Sequence, residues 1–387
     1  MDTRESFWGL DMKGRILLFT AFSLCFLILF SPQVFGAELP EGFSQLTDLL
    51  PKDTREELPS EGVFEDSEGA AAALLEFLEG RRLLSTLSQM VKDELFSSVK
   101  LFASICGLLL ISSVVSALCR SFLSDALSGA FNFCSVTVIF ASVIHMQREH
   151  ILAAEQFFER LGVLMNAMVP VTGTVWAMGG NLTTASVGTT QLYFLVSICE
   201  GLCAKSIVPV CCVLTALAIC NTLCPEMGLK GLMGAFKKIY SFLLGGIMTL
   251  LVASLSAQTA LTAAADSTAA KAARLVSANI IPVVGGSVGE TLRTVATGVR
   301  YLKSVVGVWG IVFIALLVLP VLLSLIFTRL AFLLSSGVAD MLGCETEEKL
   351  LTEIGGIYAL MVAVVSMSAV MFIFALTIFS KTVVAVM

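Results

Sequence analysis

The sequence predicts an all-α, polytopic integral membrane protein. It is expected to have about seven or eight transmembrane helices, a re-entrant or broken helix hairpin, and an acidic extracytoplasmic N-terminal segment. Three observations predict it. First, 57% of the 387 residues are hydrophobic and 14% are charged, whereas soluble domains carry about 25% charged residues. Second, apolar runs near 20 residues recur from Val99 to the end, the length a helix needs to cross a bilayer. Third, the stretch Ser267–Val306 reads as helix, break, helix, and the rest of the chain is expected to be organised around it.

In that stretch Ser267 is placed to cap a helix through Lys271, Arg274 and Leu275. Pro282 lacks an amide proton and disfavours helix in the residue before it, so the helix is expected to stop near Ile281. Gly285 and Gly286 permit a tight reversal. Ser287 and Glu290 have the spacing of a capping box, which predicts the start of a second helix. Leu292, Val295, Val299 and Leu302 then share one face, and Arg293, Thr297, Arg300 and Ser304 another. The basic strip of Arg293 and Arg300 suits either lipid phosphates or a polar cavity or partner, because an arginine facing hydrocarbon costs about 2.5–3.5 kcal/mol. The apolar run Ile280–Val284 is too short to cross a bilayer, which predicts a broken hairpin buried in protein or facing water.

The remaining segments follow in order. Lys13 and Arg15, the apolar run Ile16–Phe30 and the small residues Gly36 and Ala37 form a signal peptide pattern over residues 1–36, with an uncleaved anchor as the alternative. Residues 37–98 make the acidic extracytoplasmic segment. From Glu38 to Glu94 there are 14 acidic and 5 basic residues, which holds more than the whole chain's net charge of −6. Its second half is amphipathic, with Leu84, Leu87, Val91 and Leu95 in a stripe, suited to a membrane surface or a partner. Residues 99–387 form the multi-span membrane domain. Its expected spans are Val99–Leu118, Ala126–Met146, Leu161–Gly180 with Pro170, Ile239–Gln258, Val305–Phe327 with Pro320, and Gly355–Phe379. Arg148–Arg160 is an amphipathic link whose apolar face is Ile151, Ala154, Phe158 and Leu161.

Gln191–Leu223 is long enough for one tilted span or two short ones meeting near Lys205. Glu200 and Lys205 inside it are either interfacial or face a cavity, since ionisable groups at depth are costly. Five residues apart, they fall on different faces of a straight α-helix. Lys230, Lys237 and Lys238 place the link Pro225–Lys238 on the cytoplasmic side. Pro170, Pro209, Pro282 and Pro320 each follow an aliphatic residue and precede Val, in two pairs of near-equal spacing that suggest a weak internal repeat.

The run Ala272–Gly286, AARLVSANIIPVVGG, with Ser287–Gly307 downstream, resembles the signature region of the stage III sporulation protein AE family. The resemblance extends to Val169-Pro170-Val171, to Leu192–Val210 with Glu200 and Lys205, and to the C-terminal spans, covering Val91 to the end. It implies a polytopic membrane protein of endospore-forming bacteria, a subunit of the channel or transport complex between mother cell and forespore. It further implies residence in the mother-cell-derived outer forespore membrane. The implied partners are membrane lipid and other sporulation-complex proteins, including a separate ATPase subunit and ring-forming extracytoplasmic subunits. A stand-alone secondary transporter for a small solute is the alternative.

No enzyme is expected. The chain has no G-x-x-x-x-G-K-[ST], H-E-x-x-H or G-x-S-x-G pattern. Its 11 cysteines include no C-x-x-C and it has 2 histidines, so no metal or other cofactor is expected. Outside the acidic segment the charge is only slightly basic, which argues against nucleic acid.

Overall fold

A computed structural model describes residues 81–122, 125–224, 228–280 and 285–381. All regular structure there is helical. The helices are α1 (Arg81–Phe122), α2 (Asp125–Met178), α3 (Leu182–Cys199), α4 (Lys205–Leu223), α5 (Leu229–Ile280), α6 (Gly285–Met341) and α7 (Glu345–Lys381). A π-helical turn, Glu200–Ala204, joins α3 to α4 into one rod. Six helices, counting that rod once, are long and apolar enough to cross a membrane, close to the expected count. Helix is the expected solution, because a lipid-facing backbone must satisfy its own hydrogen bonds. The signal peptide pattern and residues 37–80 lie outside the described residues.

The difference in count has a visible cause. Ala126–Met146 and Leu161–Gly180 are not two spans but parts of the 54-residue α2, which is about 81 Å long. Nothing in Arg148–Arg160 breaks a helix, and its apolar face, Ile151, Ala154, Phe158 and Leu161, is buried in the bundle as its spacing predicts. Likewise α1 runs without a break from the surface stretch into the first span. Of its expected stripe Val91 is half-buried and Leu95 exposed, while the side chains of Leu84 and Leu87 lie outside the description.

Ser267 does not start a helix. It lies inside the 52-residue α5, where its hydroxyl donates to the carbonyl of Ala264. The alanine-rich sequence on either side continues the helix, because no residue there opposes it. Helix α5 is described to Ile280 and α6 from Gly285, so the residues of the expected break fall outside the described ones. The start of α6 is two residues before Ser287. Pro282 and residues 281–284 lie outside the description, as do the side chains of Ser287, Glu290 and Arg293. Helix α6 then continues for 57 residues through Pro320, so both arms of the break are ends of long rods.

Two reversals are single-glycine turns. Gly180 (φ 75) ends α2 and Gly343 (φ 70) ends α6. In each, the amide three residues past the last helical residue closes back on it: Asn181 N–H to the Trp176 carbonyl, and Cys344 N–H to that of Ala339. A left-handed residue just past the helix is what this closure requires, and glycine adopts it without strain.

The core lies along α7. It packs most closely on α6 and also meets α2, α4 and α5. Trp309, Phe313, Phe332, Tyr358, Phe372 and Phe379 are fully buried there. At the α2–α3 turn the backbones come close: a methyl group at Gly188 would lie 2.5 Å from the Trp176 ring. That ring stands edge-on to Phe379 at 5.3 Å, so it has nowhere to go.

Two outcomes are expected. Gly188→Ala should lower stability by about 1–3 kcal/mol, the usual cost of overpacking, seen as an earlier melt in detergent. If each rod crosses once, single cysteines in a cysteine-free background at Asn181 should label from the face opposite to those at Gly228 and Gly343. Labelling of all three from one side would rule that topology out.

Candidate functional site

Pro209 organises the middle of the α3–α4 rod. Having no N–H, it cannot bond the carbonyl of Lys205, four residues earlier. The helix answers by widening: the π turn Glu200–Ala204 ends immediately before the residue whose carbonyl proline leaves free. Such turns are rare and recur at functional sites. The wider turn also swings Lys205 towards the side of Glu200, so that Glu200, Gly201, Lys205 and Pro209 are all exposed. Among the described residues no ion pair joins Glu200 to Lys205.

The neighbouring rod supplies charge at the same level. Gly162 of α2 lies under Glu200; a methyl group there would come within 3.5 Å of the Glu200 Oε2. On α2, Arg148, Glu149, Glu159, Arg160 and Asn166 are exposed, and Pro170 is exposed one turn beyond Asn166. Both rods therefore carry charge on their outer faces between two apolar stretches. This charged belt is the candidate functional site. It can hold water, lipid headgroups or the polar face of another protein.

Four buried polar contacts brace the bundle behind the belt. Asp266 of α5, 6% exposed, accepts the backbone N–H of Thr183 at 3.0 Å and of Thr184 at 2.8 Å, and the Thr184 hydroxyl at 2.7 Å. It caps α3 from another helix, where the helix's own Asn181 makes no side-chain cap. Lys237 of α5 pairs with Glu353 of α7 at 3.2 Å, with the two side chains 20% and 12% exposed. Gln147 of α2 donates to Thr215 of α4 at 2.6 Å. On α7, Ser368 donates to Cys203 in the π turn at 3.4 Å.

The basic strip is partly visible. Thr297 and Arg300 are exposed and Ser304 is half-buried, opposite the buried Val299 and Leu302, as the spacing predicts. The structure adds Lys303, which that reading passed over. It is 2% exposed and its Nζ lies 5.6 Å from the centroid of the Phe379 ring, a cation–π distance. One signal could have found it: Lys303 is the last charge before the uncharged stretch Ser304–Thr328. Asp266, Glu353 and Glu347 were visible only as isolated acids, because their partners lie 83, 116 and 235 residues away in sequence.

Long apolar rods, single-glycine reversals and buried polar braces define a polytopic helical integral membrane protein. The chain belongs to the stage III sporulation protein AE family: residues 75–382 match the family of that description. Over 250 residues it is 21% identical to the stage III sporulation protein AE of Bacillus subtilis (strain 168), covering 63% of this chain and 63% of that protein. No solved structure matches it. A role in sporulation follows from the family.

Removing the Asp266 cap should cost about 0.5–2 kcal/mol. Asp266→Ala is expected to melt earlier than the parent in detergent, with Asp266→Asn between them because it keeps one acceptor oxygen.

Proposed function

We infer that the chain is a non-catalytic, permease-like or scaffold subunit of the sporulation channel or transport complex linking mother cell and forespore. It resides in the outer forespore membrane and supports forespore development. The observation that carries the reading is the charged belt of Glu159, Arg160, Glu200 and Lys205 on outward faces of apolar rods. Against hydrocarbon each such charge costs about 2.5–3.5 kcal/mol, so a partner or an aqueous path is the favourable surrounding. Family membership supports the sporulation setting. The partners of this reading are membrane lipid, ring-forming extracytoplasmic subunits and a separate ATPase subunit that supplies energy.

One observation favours a second reading, a secondary transporter working alone. The π turn interrupts a membrane rod beside Glu200, as broken helices do in transporters. Purification from sporulating cells separates the two. The complex reading expects other membrane proteins to co-purify with the intact chain, and Glu200→Gln with Lys205→Gln to reduce both their recovery and the spore yield at least tenfold. A chain that purifies alone and moves solute in liposomes would decide for the transporter. In the basic strip, Arg293→Lys with Arg300→Lys should preserve sporulation if lipid phosphate is the contact. The same variant should lose it if a partner carboxylate needs the guanidinium fork.

A further inference from the structure

At the junction of α1, α2 and α7, three oxygens from three helices form a closed triangle. Ser112 Oγ lies 2.7 Å from Glu347 Oε1, Ser135 Oγ lies 2.8 Å from the same oxygen, and the two hydroxyls are 2.6 Å apart. All three edges are hydrogen-bond distances between oxygens. Each such edge needs one proton, and the two serines supply one proton each. With Glu347 ionised, one edge would be two oxygens in close contact with nothing between them. With a proton on Glu347 Oε1, each oxygen donates once and accepts once, and the triangle closes. The geometry points to a proton-binding site at Glu347, shared by three helices.

The surroundings argue the same way independently. Glu347 is 3% exposed, and among the described residues it makes no ion pair. The nearest lysine in sequence, Lys349, turns instead to Glu345 in an exposed pair at 3.9 Å. The nearby Asp340 and Glu348 are themselves acids and bring no positive charge, and Ser113 of α1 spends its hydroxyl on the Leu342 carbonyl at 3.2 Å. The first turn of α7 favours negative charge weakly, while an unpaired buried carboxylate is strongly disfavoured and neutralises when it can. A bare alkali ion is a poor substitute, because the oxygens around it would carry no protons along their short edges. Release of the proton leaves two protons for three contacts and forces the oxygens apart. Proton binding is thereby linked to the seating of α1 and α2 on α7.

Infrared spectroscopy of the full chain in lipid vesicles at neutral pH tests this. The difference between the parent and Glu347→Gln, which mimics the neutral acid in shape, should show loss of one carboxylic acid C=O stretching band that shifts in D2O. Ser135→Ala should keep the band but move it to higher frequency, because a hydrogen bond is lost, and this variant answers even if Glu347→Gln does not accumulate. Exchange of Na+ for a large organic cation should leave the band unchanged. A difference spectrum with only ionised carboxylate bands would overturn the proposal. Appearance of the acid band only when Na+ is removed would assign the site to a metal cation and overturn it equally.

Discussion

Helix α7 is the constraint on which the rest depends, because it meets every other rod through a different contact. Glu347 reaches the serines of α1 and α2, Glu353 pairs with Lys237 of α5, and Ser368 bonds Cys203 in the π turn. Tyr358 stands edge-on to His150 of α2 and stacks near Phe332 of α6. Phe379 faces Trp176 of α2 and the Lys303 ammonium of α6. In a bilayer the hydrophobic effect does little to choose among helix pairings, since lipid tails are as apolar as leucine. Specific polar contacts and close packing then decide which helix sits where. Placing a distinct polar or aromatic partner at each level of α7 gives each neighbour one register.

The ionisable groups divide by direction. Those pointing inward, Asp266, Glu347, Glu353 and Lys237, are met by donors or opposite charge from other helices. Among the described residues Glu159, Arg160, Glu200 and Lys205, pointing outward on α2 and the α3–α4 rod, make no ion pair with another helix. That contrast separates contacts that hold the fold from groups available to something else. It also places Lys303 with the first set, since its charge is spent against an aromatic face in the core.

Much of this was legible in the sequence. Composition and apolar run lengths reported a helical membrane protein, and helical spacing placed Ile151, Ala154, Phe158 and Leu161 on a buried face. Reading failed where a local cue had a non-local answer. Ser267 looks like a cap, but a cap is needed only where a helix begins, and the alanines before it let α5 run through. A polar stretch such as Arg148–Arg160 suggests a surface link, yet charge on one face does not end a helix. The length of Gln191–Leu223 left room for two short spans meeting near Lys205, but the π turn that places Glu200 and Lys205 on one exposed side is a matter of backbone geometry. The pairings of Asp266 and Glu347 join residues scores to hundreds of positions apart, which no local pattern encodes.

The single-glycine reversals at Gly180 and Gly343 have a consequence for assembly. With three residues between α2 and α3 and three between α6 and α7, there is almost no loop at either turn to be gripped. At these two turns recognition must therefore run along helix flanks, much as one stave of a barrel is held by the staves beside it. A partner reduced to its soluble domain would find few handles at those two turns, and the same economy leaves them little room for inserted tags or extra residues.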